Sequence, residues 1–250
     1  MTSFKTRIRE ASSGKSKIIL ANDFNNFDAY KLENKTIENI KNLGKYLCAI
    51  KLNLHLILPL GLKELTRINH AVHDAGLQSI ADIKLNDIGN TNKIVTELLW
   101  HTGFDAVIVN PIMGRENLKK IINSAHKENQ GVITLVHMSS PESKLAYDVK
   151  VKGSNKKNSA KLYELFLNWS TSLFADGIIV GATVPKIIKL CRKKVQGMCD
   201  IYSPGIGTQG GSAQKSMTSG ADYLIVGRTI LKAKDPQEKA KKLQQLSLVY

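Results

Sequence analysis

The chain has 250 residues, 42% of them hydrophobic and 23% charged, which is enough to bury a large core as one globular domain without requiring a second. Lysine and arginine outnumber aspartate and glutamate by 36 to 21, a net charge of +15 that admits an anionic ligand, a nucleic acid or a solubilising surface. Three cysteines, Cys48, Cys191 and Cys199, form no C-x-x-C pair and argue against a disulfide framework or a zinc site. No apolar run approaches the roughly 20 residues of a membrane span, and the basic N-terminal segment 1–16, with Lys5, Arg7, Arg9 and Lys15, has no apolar core of a signal peptide. These features lead us to expect a cytoplasmic protein without a membrane partner.

The chain opens on a strand pattern at 17–24 with Asp23 near its end, and helical periodicity follows to 43. A second strand at 46–53 carries Lys51, and an amphipathic helix at 60–75 closes at Gly76. The third strand, 80–85, precedes a helix at 92–102. Strand 106–110, helix 115–128 and strand 131–138 then continue the alternation. An irregular basic stretch at 142–158 interrupts it. A helix at 159–174, strand 177–181, helix 184–194, strand 199–203, a short helix ending at 219, strand 223–227 and a helix from Pro236 complete the chain.

Eight short apolar strands, each followed by a helix, predict an α/β fold of the (β/α)8 TIM barrel type, a single domain over 1–250. A doubly wound open sheet is the competing topology but would usually stop at five or six strands. The basic clusters 150–152, Lys156-Lys157, 192–194 and Lys239 with Lys241-Lys242 fall in expected loops or late helical turns and read as solvated surface. No strip of clustered aromatic and basic residues supports nucleic-acid binding. His70 and His73 read as a solvent-facing pair and His137 as a packing or loop residue.

The stretch 80–88 places Asp82, Lys84 and Asp87 in what otherwise reads as a buried strand. A period of two sets Asp82 and Lys84 on one face. In a barrel the chemistry lies at the C-terminal ends of the strands. Asp23, Lys51, Asp82, Lys84, Ser139 and Arg228 all fall there, as does the glycine-rich segment 204–211. Charges turned into a barrel are costly unless mutually paired, so Lys51, Asp82 and Lys84 with a further carboxylate are expected to form a compensating array. The glycine-rich loop after the seventh strand and Gly227-Arg228 after the eighth match the usual barrel phosphate site.

Together, Asp23, Lys51, the segment Asp82-Ile83-Lys84-Leu85-Asn86-Asp87-Ile88, Met138-Ser139, the loop 203–211 and Val226-Gly227-Arg228 resemble orotidine 5′-phosphate decarboxylase of the compact archaeal type. D-x-K-x-x-D-I is shared with hexulose-phosphate synthase and ketogulonate-phosphate decarboxylase, which place a magnesium-binding glutamate at the end of the second strand. Here Lys51 stands there, and a lysine cannot ligate Mg²⁺ as a carboxylate does. Two departures from the family pattern are Gly89 in place of the proline of D-I-P-x-T, and the segment 137–141 without the acidic residue and histidine often found beside the serine.

The resemblance implies conversion of orotidine 5′-phosphate to UMP and CO2 with no cofactor and no metal. Lys84, Asp82, Asp87 and Lys51 would be catalytic. Asp23 would serve the ribose and the charge network, and Ser139 the pyrimidine amide edge. Gln209 and Arg228, with Pro204 and Gly227 beside them, would hold the phosphate. It further implies a homodimer with shared sites, in which Asp87 and Thr91 reach the neighbouring subunit's ribose.

Overall fold

The computed structural model describes residues 2–25, 28–152 and 159–250. Its strands are β1 (Ile18–Ala21), β2 (Ala49–Asn53), β3 (Gln78–Leu85), β4 (Ala106–Val109), β5 (Gly131–His137), β6 (Lys150–Lys152), β7 (Ser159–Lys161), β8 (Gly177–Val180), β9 (Asp200–Pro204) and β10 (Tyr223–Val226). Eight of them close into a parallel barrel in the order β1-β10-β9-β8-β5-β4-β3-β2, and β6 and β7 form a separate antiparallel pair. The helices are α1 (Phe4–Ser12), α2 (Ala29–Leu43), α3 (Leu54–Ile57), α4 (Leu62–Asp74), α5 (Gly89–His101), α6 (Arg115–Lys127) and α7 (Ser143–Tyr147). They continue with α8 (Leu162–Ser172), α9 (Pro185–Val195), α10 (Ala213–Thr218), α11 (Arg228–Leu231) and α12 (Pro236–Leu248).

Every residue of β1, β4, β8 and β10 is buried, because side chains on one face fill the barrel and those on the other meet the helices. The helices bury stripes at helical spacing, such as Leu65, Ile68 and Val72 on α4. Local chemistry starts several of them. Asp28 accepts from Lys31 N at α2, and Asp235 from Glu238 N at α12.

The basic segment 1–16 is more structured than its composition suggests. Residues 4–12 form α1, which turns Phe4 and Ile8 into the core and Arg7 and Arg9 onto Asp105 and Asp200. It lies under the N-terminal end of the barrel, and Gly131 lacks a side chain because a Cβ there would sit 2.1 Å from the Phe4 ring.

The stretch expected to be irregular contains α7 and β6, and β7 occupies the start of the expected helix, which begins at Leu162. Lys150 to Lys152 are thus strand rather than loop, and Lys239, Lys241 and Lys242 lie well inside α12. Lys156, Lys157 and the part of the expected helical pattern at 26–27 lie outside the described residues. His73 is not simply solvent-facing: its Nε2 is 2.9 Å from Asp105 Oδ2.

Candidate active site

A cavity of about 290 Å³ opens at the C-terminal ends of the barrel strands. Ile108, Leu135, Ile179 and Ile225 form its apolar floor, and Asp23, Lys51, Asp82, Lys84, Ser139 and Arg228 are among the polar residues on its wall. The expected charged array is assembled. Lys51 Nζ donates to Asp82 Oδ2 at 2.7 Å, and Lys84 Nζ donates to Asp82 Oδ1 at 2.8 Å. Asp23 Oδ1 stands 3.9 Å from Lys51 Nζ.

Asp82 is 7% exposed and Lys51 4%, and a charge so buried is costly unless paired, which the contact between them provides. Burial pulls the Asp82 carboxyl upward, but the Lys51 and Lys84 ammonium groups outweigh it and hold the net value below the usual range. The centre is therefore an ionised carboxylate clamped between two ammonium groups over an apolar floor.

The strand period does not by itself place Lys84. Its φ is +45°, in the left-handed region that a long side chain seldom adopts, and the β3–β4 register shifts between Ala81 and Leu85. Such a conformation costs about 1–3 kcal/mol. The irregularity turns Lys84 back onto the Asp82 that precedes it by two residues.

The glycine-rich segment forms a compact loop after β9. Gly207 N donates to Gly211 O at 2.8 Å and Gly211 N to Gly205 O at 3.0 Å. Gly207 has φ +74°, and a Cβ there would lie 2.4 Å from Thr229 Oγ1, so only glycine allows the loop to settle against α11. Gln209 projects from this loop and accepts from Ser139 Oγ at 2.7 Å, joining residues 70 positions apart in the chain. Pro204, Gln209, Gly227 and Arg228 all line the cavity, with the Arg228 side chain exposed.

Asp87 and Thr91 do not line this cavity. Both are exposed. Asp87 Oδ1 accepts from Ile88 N at 2.7 Å, its carbonyl takes the Asn92 amide, and Thr91 sits in the first turn of α5. Gly89 opens α5 with φ +50°, which a proline locked near −65° cannot adopt, so the departure from D-I-P-x-T accompanies a different local backbone.

Sequence reasoning missed Asn53 and Ser140, which also line the cavity. Asn53 was within reach of it: two residues beyond Lys51 on the same strand, it shares that residue's face and pairs in register with Asp82. Ser140 lies in irregular backbone without a period to read.

A closed parallel barrel with a mixed-charge cavity at its strand ends, and a glycine-rich loop beside an arginine, defines a TIM-barrel protein of the enzyme type. The model of the orotidine 5′-phosphate decarboxylase / HUMPS family matches residues 16–243, and the chain belongs to that family. Orotidine 5′-phosphate decarboxylase of Thermococcus kodakarensis is 33% identical over 92% of this chain and 96% of its own. The crystal structure of orotidine 5′-phosphate decarboxylase from Pyrococcus horikoshii superposes with a TM-score of 0.73 at 32% identity, over 92% of this chain and 99% of that one. Leishmania donovani UMP synthase has a TM-score of 0.85 at 24% identity over 100% of this chain. This chain spans only 56% of that protein, and the likeness is one of fold.

Proposed function

We propose that this protein decarboxylates orotidine 5′-phosphate to UMP and CO2 in pyrimidine biosynthesis. The observation that carries the reading is the Lys51–Asp82–Lys84 array over an apolar floor, within a chain of the decarboxylase family. Cleavage of the C6–carboxylate bond releases CO2 and leaves the electron pair on C6. Lys84 Nζ stands as the cation beside that carbanion and gives C6 its proton, then regains one from solvent. The reaction has no electron sink of its own, so fixed charges supply the stabilisation. Asp82, held ionised, faces the leaving carboxylate and keeps Lys84 aimed.

Lys51 and Asp23 hold the ribose and complete the charge network. Ser139, which donates to Gln209, meets the pyrimidine edge, and Gln209 and Arg228 with the loop 205–211 take the phosphate. Phosphate binding acts at a distance from the broken bond by closing that loop and excluding water. Lys51 also weighs against the magnesium-dependent sugar-phosphate relatives, whose glutamate it replaces.

The working unit in this reading is a cytoplasmic homodimer in which Asp87 and Thr91 enter the partner's site. Their position outside the cavity supports it, as do the exposed apolar side chains of Leu54, Leu58, Ile88, Ile94, Leu98 and Ile112 on nearby segments. Among the described residues no helix is long and apolar enough to cross a membrane.

The test is a spectrophotometric decarboxylation assay on the purified protein, with and without EDTA. Turnover of orotidine 5′-phosphate that EDTA leaves unchanged is expected. Inactivity on this substrate, or activity only on a sugar phosphate with added Mg²⁺, would transfer the chain to the other branch of its family.

A further inference from the structure

One buried titratable group has no role in the chemistry above. His137 is the last residue of β5, is 0% exposed, and immediately precedes Met138 and Ser139 in the cavity wall. Its Nδ1 lies 2.8 Å from the Met138 carbonyl oxygen. A carbonyl can only accept, so the ring proton resides on Nδ1. Tyr147 and Tyr163 hold the ring in place, with centroids at 5.5 and 5.8 Å.

The other ring nitrogen faces Asp148 Oδ1 at 3.8 Å, and neither atom has a hydrogen-bond partner among the described residues. Lys161 Nζ, 3.4 Å from the same oxygen, neutralises the carboxylate instead. Burial lowers the His137 pKa, which keeps the ring neutral and its single proton on the carbonyl side.

The same short segment is gripped from the loop that follows β8. Thr183 Oγ1 donates to the Ser139 carbonyl at 3.0 Å, and Gly181 N donates to His137 O at 3.0 Å. A Cβ at Gly181 would lie 2.6 Å from Ser139 Cα, so the backbones touch. What this grip positions is Ser139 Oγ, which meets Gln209 of the glycine-rich loop.

We propose that His137 is a positioning residue for the reaction: its Nδ1–H fixes the Met138 carbonyl and so sets Ser139 against Gln209 and the base of the substrate. The role rests on the decarboxylase reading of the site, and its signature is a loss confined to recognition of the base.

Three variants test it. His137→Phe keeps an aromatic ring but removes both nitrogens; His137→Asn restores an N–H near the position of Nδ1; His137→Gln reaches instead toward Nε2. In the phenylalanine variant kcat/KM for orotidine 5′-phosphate should fall about ten- to a hundredfold, the scale of an ångström's misplacement. Its thermal midpoint and its affinity for ribose 5-phosphate, which lacks the base, should hold. Asparagine should recover most of the loss and glutamine little. A phenylalanine variant as active as wild type overturns the role, as does equal recovery by asparagine and glutamine, or a parallel loss of ribose 5-phosphate affinity. Wild type measured alongside separates the two levels: if it is inactive on orotidine 5′-phosphate, the reading of the site fails and the role with it, whereas an active wild type beside an equally active phenylalanine variant removes the role alone. Should the phenylalanine variant not fold, ¹⁵N spectra of the wild-type imidazole decide, a proton on Nδ1 supporting the role and one on Nε2 overturning it.

Discussion

The two ends of the barrel use the same residue types in opposite ways. At the N-terminal end Asp105, Asp176 and Asp222 each accept a backbone N–H from a neighbouring strand, from Ser79, Val132 and Ile201 at 2.8, 2.9 and 2.7 Å. Each also meets a basic side chain from a helix: His73 on α4, His126 on α6 and Arg192 on α9. Asp200 takes Arg9 from α1 at 2.7 Å. These carboxylates tie strands to helices and have their hydrogen bonds met within the fold. At the C-terminal end, among the described residues, Asp82 meets two ammonium groups, and Asp23 Oδ1 is buried without a hydrogen-bond partner. Satisfied aspartates mark the end that holds the barrel together. The unpartnered Asp23 oxygen and the strained Lys84 mark the end where, in the proposed function, a substrate completes the set.

Substitutions should therefore cost activity at one end and stability at the other. The largest effect is expected for Lys84→Ala: turnover should fall by roughly 10²–10⁴-fold, the range for a general acid, while UMP binding stays measurable by calorimetry. Activity within about tenfold of wild type, a loss of only ~1.4 kcal/mol, would remove Lys84 as proton donor.

Asp87 sharpens the contrast because it lies near the C-terminal end yet outside the cavity. Lys84→Ala and Asp87→Ala homodimers should each be nearly inactive. In a mixed dimer one site carries both lesions and the other neither, so co-refolding should restore about a quarter of wild-type activity for random pairing. A mixture as inactive as its parents, with heterodimer confirmed by mass, would assign Asp87 to its own subunit.

For Arg228→Ala, kcat/KM should drop about ten- to a hundredfold, since a charged hydrogen bond contributes roughly 1.5–3 kcal/mol, and guanidinium in the assay should restore part of it. Normal handling of phosphorylated substrate would misplace the phosphate site. At the other end, Asp176→Ala should lower stability by about 1–3 kcal/mol, leaving Val132 N and His126 without their acceptor. That is several degrees in Tm, with kcat per folded molecule unchanged; an activity loss without a Tm change would break the comparison.

The smallest effect is a pH dependence of stability. Hydrogen bonds to Asp105 and Asp176 raise the pKa values of His73 and His126 above their ordinary value. A raised folded-state pKa gives stability that is full below the unfolded value of about 6.5 and is lost as pH rises through the folded value. Tm should therefore decline mildly on the alkaline side of neutrality. The decline should flatten in a His73→Gln, His126→Gln double variant, and an unaltered slope in that variant would show that other groups carry it.

What the sequence alone determined is the part of this protein governed by local repetition. Eight apolar segments of strand length alternating with helical periodicity lead to the barrel, because parallel strands covered by helices must be apolar on both faces. Given the barrel, position along each strand was enough to bring Lys51, Asp82 and Lys84 to one rim, and glycines at the required spacing announced the loop after β9. Tertiary structure decided whatever depends on contacts between residues far apart in the chain. Segment 1–16 read only as a basic stretch because its charges are conspicuous, yet residues 4–12 become a helix once Phe4 and Ile8 have a barrel end to cover and Arg7 and Arg9 have aspartates to meet. Lys84 owes its left-handed backbone to a register shift between strands that no period of two encodes. The Ser139–Gln209 contact, and the buried His137 behind it, come from chain closure around the barrel, where packing selects one arrangement among many that the local sequence would allow.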